Sequence, residues 1–144
     1  MKQTLPIGKL LLGGLYMSIV IAVLVAAMFA TTTKKDHQIR VILGGAQVFV
    51  EIADTSSLRE KGLSGHKKLS ADQGMLFVFQ ESQQYGFWMK DMLFPIDIIW
   101  FDSNRKIVDV WENATPESYP KIFTPRALSL FVLEVPAGFF AEHN

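Results

Sequence analysis

The chain has 144 residues, 14 of them basic and 14 acidic, and no cysteine. The lack of cysteine excludes disulfides, thiolate metal sites, iron–sulfur clusters and a cysteine nucleophile, and leaves open the side of a membrane on which the chain folds. Lys2 and Lys9 precede a long apolar run, so residues 34–144 carry 12 basic against 14 acidic groups, a weakly acidic domain without the basic stripe that nucleic-acid binding requires.

After a flank at 1–9, the 21 residues from Leu10 to Ala30 carry no charge. As a helix they would span roughly 32 Å, matching a hydrocarbon core of ~30 Å. The expectation is one transmembrane helix that holds the chain at a membrane. The alternative is a signal segment cleaved after Ala27 or Ala30, although such apolar stretches are usually shorter. Lys2 and Lys9 nearly balance Lys34, Lys35 and Arg40. The short leading flank therefore decides orientation and favours a domain outside the cytoplasm, periplasmic or extracellular, or secreted after cleavage. Residues 31–38 are polar and unpatterned, and read as a tether.

Strand signals follow. Ile39 to Leu43 and Ala46 to Ile52 are β-rich runs around Gly44-Gly45, a two-residue hairpin signal. Thr55, Ser56 and Ser57 can cap a short helix through Leu58 and Lys61 that Gly62 ends. Met75 to Phe79 is a continuous apolar run, the pattern of a strand buried on both faces. Gly86 to Lys90 and Ile96 to Phe101 are further strands, with Pro95 placed where a missing donor matters least. Ser103-Asn104 makes a turn and Lys106 to Glu112 a return strand. Pro116, Pro120 and Pro125 mark a long loop that excludes helix. Leu130 to Val135 is the last strand, and Pro136 to Asn144 reads as a short final helix.

Short strands separated by Gly and Pro turns give a mainly β (α+β) domain over 39–144. The expected form is a small antiparallel β-sandwich or barrel-like fold with one or two short helices. Several runs together resemble the DUF192 (UPF0127) family of uncharacterised prokaryotic proteins. They are Ala53-Asp54-Thr55, Arg59 with Gly62-Leu63, and Gly74 to Phe79. Phe87-Trp88-Met89-Lys90-Asp91, Pro95 to Ile99, and Val132 to Val135 with Ala137-Gly138 complete the match, which covers Val48 to Asn144. Ser64 and His66 stand where the family often has methionine and arginine. The family's closing Gly-Asp stretch is absent, so a C-terminally truncated domain is expected. The resemblance implies a mainly β fold, often exported or anchored, and no established activity.

The candidate site is drawn from Trp88, Lys90, Asp97, Glu134, Arg59 and Asp91. On a strand, Phe87 and Met89 face one way and Trp88 and Lys90 the other. Trp88 beside Lys90 makes a surface for stacking a sugar or holding an anion, or else Trp88 is core and Lys90 reaches past it to water. Asp97 and Glu134 each sit among apolar neighbours, and a buried carboxylate needs a charge partner or several hydrogen bonds. For Asp97 the partners expected are Lys90 and Arg59. Asp97 with Asp91 or Glu134 would alternatively supply a carboxylate pair for acid–base work on a glycan. Arg59 is able to clamp an anion or to cover the end of its own helix.

His37, His66 and His143 share no metal-ligand spacing, and no phosphate loop, nucleophile elbow or dinucleotide fingerprint is present. No metal or cofactor is expected, and no catalytic residue is assigned. The leading expectation is a membrane-anchored envelope binding module for a glycan, a peptide or another protein. The alternatives are a carboxylate-dependent hydrolase of an envelope glycan and a structural partner-binding domain.

Overall fold

The structure is a computed structural model and describes residues 39–144. The apolar run Leu10–Ala30, its flank 1–9 and the tether 31–38 lie outside the described residues. Among the described residues no helix is long and apolar enough to cross a membrane.

Strands β1 (Ile39–Leu43) and β2 (Ala46–Ala53) form an antiparallel hairpin. Gly44 and Gly45 adopt φ of 55° and 84°, the two left-handed positions of a type I′ turn, which only residues without a Cβ adopt freely. Thr55 then caps α1 (Ser56–Lys61), its hydroxyl oxygen accepting the Leu58 N–H at 3.3 Å. The segment carrying α1 returns the chain so that β3 (Gln73–Gln83) runs parallel to β2. The sheet is therefore mixed, not wholly antiparallel as expected. A connection of a dozen or more residues makes the crossover that a tight hairpin cannot.

Next come β4 (Phe87–Trp88), β5 (Ile96–Phe101) and β6 (Ile107–Ala114). A single 3-10 turn (Pro116–Ser118), β7 (Ile122–Phe123), β8 (Ser129–Pro136) and α2 (Phe139–His143) complete the order. Six strands pair in the order β1-β2-β3-β8-β5-β6, while β4 and β7 form a separate two-stranded ribbon. The prolines of the loop exclude an α-helix, yet Pro116 opens the 3-10 turn, where its missing N–H would have had no partner anyway.

Period-two alternation splits the apolar residues between two cores. On one face Met75, Phe77, Ile96, Ile98, Trp100 and Val132 pack beneath Leu63, Met89, Met92 and Phe123. On the other, Val48, Val50, Ile99, Phe101, Leu133 and Val135 pack against Phe139 of α2. Each large apolar side chain so enclosed stabilises the fold by about 1.5–3 kcal/mol. β5 has all its residues buried, as expected of a strand covered on both sides.

Candidate functional site

The centre of the sheet holds one residue that violates its surroundings. In β8, Val132 and Glu134 point to the first core while Leu133 and Val135 point to the second. In register, Glu134 lies between Met75 of β3 and Ile98 of β5. Only 4% of it is exposed, and Oε2 has no hydrogen-bond partner among the described residues. Burial pushes its carboxyl up to about 8, because a charge loses its hydration there without a cation to replace it. Glu134 is thus a neutral carboxylic acid at pH 7, able to donate one hydrogen bond and accept others.

Above this acid opens a cavity of about 250 Å³, walled by Phe77, Phe79, Tyr85, Phe87 and Trp88. Phe77 and Phe79 are two apart on β3 and so share a face. Phe87 meets Phe77 edge-on at 4.8 Å, and Tyr85 stacks on Phe79 at 3.4 Å. Gly86 lets β4 lie close to β7, since a Cβ there would stand 2.6 Å from an Ile122 methyl.

Arg59 stands at the mouth of this cavity. Its Nη1 donates to the carbonyls of Asp54 at 2.6 Å and Val78 at 3.0 Å, and the guanidinium lies 5.2 Å from the Phe79 ring centre. Arg59 thereby fastens α1 to β3. Trp88 is 47% exposed, which corrects the reading that placed it in the core. β4 ends after Trp88, yet the expected alternation persists: Met89 is buried and Lys90 stands with its ammonium 5.9 Å from the Trp88 ring centre. Asp91 turns the chain at φ 56°, and its carbonyl accepts the Gly65 N–H at 2.9 Å.

Asp97 is elsewhere. It pairs in register with Val135, one position from the Ile98–Glu134 pair, so it projects to the opposite face of the sheet from Glu134. The side chain is fully buried. Oδ1 accepts the Asn113 N–H at 2.8 Å and Oδ2 the Phe140 N–H at 3.0 Å. The first ties down a bulge in β6, where Asn113 has φ 52°, and the second holds the start of α2. The expected partners Lys90 and Arg59 are replaced by these two amides, and Asp97 forms no carboxylate pair with Glu134.

Five of the six residues singled out from sequence, Arg59, Trp88, Lys90, Asp91 and Glu134, therefore line one region, and Asp97 lies outside it. Sequence reasoning missed the aromatic walls at Phe77, Phe79, Tyr85 and Phe87. Their signal was present in the spacing of Phe77 and Phe79, but an apolar run reads as core whether or not a cavity opens beside it. Among the described residues no group of three His, Asp or Glu side chains is arranged to hold a metal ion.

Residues 39–144 match the model of the DUF192 family, described as "Uncharacterized ACR". A UPF0127 protein of Thermococcus kodakarensis is 29% identical over 89 residues, covering 62% of this chain and 54% of the relative. One of Thermococcus gammatolerans is 33% identical over 91 residues, covering 62% and 56%. The chain spans about half the length of these curated relatives. Among solved structures, a Sinorhizobium meliloti 1021 protein described as a candidate transcription regulator superposes with a TM-score of 0.66 at 34% identity, covering 72% of this chain and 81% of the other. A protein of unknown function from Novosphingobium aromaticivorans has a TM-score of 0.66 at 28% identity, covering 72% and 74%. The chain belongs to the DUF192 family, as its Trp-Met-Lys block and the flanking motifs led us to expect.

Proposed function

We propose that this domain is a ligand-binding module, that its ligand site is the aromatic cavity above Glu134, and that the run Leu10–Ala30 anchors it at a membrane with the domain in the cell envelope. The observation that carries the reading is Glu134: a buried carboxyl that lines an aromatic cavity and whose Oε2 has no hydrogen-bond partner among the described residues. An acid left without a hydrogen-bond partner costs roughly 1–3 kcal/mol, and a ligand that supplies the partner recovers that cost. Flat aromatic walls suit the CH face of a ring, and a neutral acid suits its hydroxyl or carbonyl edge. The near-balance of charge gives no support to a nucleic-acid partner.

The hydrolase reading draws on the same acid, since a carboxyl held neutral at pH 7 is a proton donor. It lacks a second carboxylate at Asp97, which serves the other face of the sheet.

The test is thermal denaturation of the full chain against panels of glycans, peptides and proteins from the envelope. A ligand at ~100 times its dissociation constant adds about 2.7 kcal/mol. The stabilising ligand should lose its effect on Trp88→Ala and Glu134→Gln. Equal stabilisation of wild type and both variants would move the site elsewhere. Protease accessibility in spheroplasts, whose inner membrane is intact, tests the placement, and digestion only after the inner membrane is lysed would refute a domain outside the cytoplasm.

A further inference from the structure

The aromatic cavity does not end at Trp88. A second depression of about 330 Å³ adjoins it, lined by Ser57, Glu60, Lys61, Ser64, Trp88, Lys90 and Asp91. Glu60, Lys61, Ser64 and Trp88 line both, so the two are chambers of one cleft with the indole at their junction. We infer that the cleft takes a glycan of at least two linked sugar units, one over Glu134 and the next in the chamber beside Lys90 and Asp91. The inference rests on the cavity being the ligand site and adds the class and length of ligand.

The chambers differ in chemistry. The inner one is walled by five aromatic rings with the neutral Glu134 carboxyl at its base, and Arg59, Glu60 and Lys61 complete its lining. The outer one has two hydroxyls, two cations and two carboxylates, and Trp88 as its only aromatic. Those charges cancel, so the outer chamber offers many hydrogen bonds and no net attraction for an ion. That fits an uncharged unit rich in hydroxyl and amide groups. The outer walls are also tied together: Ser64 Oγ donates to the Lys90 carbonyl at 2.9 Å, and the Gly65 N–H donates to the Asp91 carbonyl at 2.9 Å. The shape of the outer chamber is therefore set by the fold, with residues 64–65, just after α1, tied to the 90–91 turn.

A peptide fits less well. An apolar side chain inserted alone would satisfy the aromatic walls and leave the Glu134 carboxyl without a partner. The backbone amides that could reach it lie outside that side chain, whereas a sugar ring brings a CH face and a hydroxyl edge together on one small unit. Trp88, 47% exposed, offers a stacking surface where one unit passes to the next. The Lys90 ammonium at 5.9 Å from that ring keeps a donor at the same place.

The experiment titrates the full chain with N-acetylglucosamine, its β-1,4-linked disaccharide and an uncharged aromatic dipeptide, by calorimetry. The disaccharide is expected to bind at least tenfold more tightly than the monosaccharide. Lys90→Ala combined with Asp91→Asn, which keeps a residue tolerant of positive φ, should abolish that tenfold gain and leave monosaccharide affinity unchanged. Equal affinity for one and two units overturns the two-unit cleft while the Glu134 pocket stands. Binding of the dipeptide alone overturns the glycan assignment. No binding of any of the three overturns the inference, and the pocket reading falls with it only if the broader panel is also unaffected by Glu134→Gln.

Discussion

Replacing Glu134 by glutamine keeps the shape of the side chain and removes its proton equilibrium. The carboxyl ionises near 4.5 when exposed and near 8 in the fold. Folding therefore favours the protonated form, and the contribution of this residue to stability is fully present below 4.5. It is lost as pH rises toward about 8. Between pH 5 and pH 7.5 the loss amounts to about 3 kcal/mol at ~1.36 kcal/mol per unit. Glutamine brings its own buried amide, a penalty of roughly 1–3 kcal/mol that does not change with pH. The informative quantity is thus the difference between the two proteins across pH, not either value alone. Urea denaturation of the full chain at half-unit steps should show Glu134→Gln gaining on wild type by about 3 kcal/mol from pH 5 to 7.5. For a domain of this size that is roughly 10–20 °C in melting temperature. Asp102 and Asp109, whose carboxyls are held below 3.8, stay ionised throughout that window and cancel. Parallel curves with a constant offset would refute the reasoning, because they would mean that Glu134 is charged in the fold.

Asp97→Ala should destabilise by about 3 kcal/mol or more, since it orphans the Asn113 and Phe140 amides in a buried place; hydrogen exchange at those two amides should rise while the Glu134 pH dependence persists. Gly44→Ala should cost on the order of 1–3 kcal/mol, because its Cβ would overlap the His143 carbonyl, and Gly45→Ala less, since nothing stands in its way; denaturant midpoints of the two variants give the comparison. Asp109 accepts two hydrogen bonds from the Arg126 guanidinium and one from its backbone N–H, contacts that hold its carboxyl low. Its contribution is present above pH 3.8 and is lost as pH falls, so Asp109→Asn should weaken the fold at pH 6 and converge with wild type in strong acid. Arg59→Lys should loosen α1, since an ammonium loses the planar guanidinium that lies against the Phe79 ring while its Nη1 holds the Asp54 and Val78 carbonyls; protease cleavage near residues 56–62 should accelerate.

The elements that were legible in the sequence owe their signals to local chemistry. Gly44-Gly45 admits one turn, Thr55 and Gly62 bracket one helix, and Ile96 to Phe101 is too apolar to lie at a surface. The β4–β7 ribbon was not legible as such, because two residues are too few to show a period and the pairing of Phe87 with Phe123 spans a loop that reads only as prolines. Asp97 and Glu134 looked alike, each a lone acid between apolar residues. Their fates differ because of parity in a register set by strands distant in sequence. Asp97 faces the start of α2 and the β6 bulge, and Glu134 faces a cavity. Neither outcome is written in the residues adjacent to them.

Among the described strands, the one that carries Glu134 comes latest in the sequence, and it lies in the interior of the sheet, between β3 and β5. Until Ser129 to Pro136 emerge, the nascent chain holds two partial sheets, β1-β2-β3 and β5-β6, each with an open edge where β8 belongs. Translation at ~5–20 residues per second leaves those edges exposed for seconds, long enough to engage a chaperone or a neighbouring chain. β8 is the strand that joins the halves, and it carries the acid that lines the cavity. Ribosome-stalled chains ending before Ser129 should therefore remain protease-sensitive throughout, with no stable subdomain.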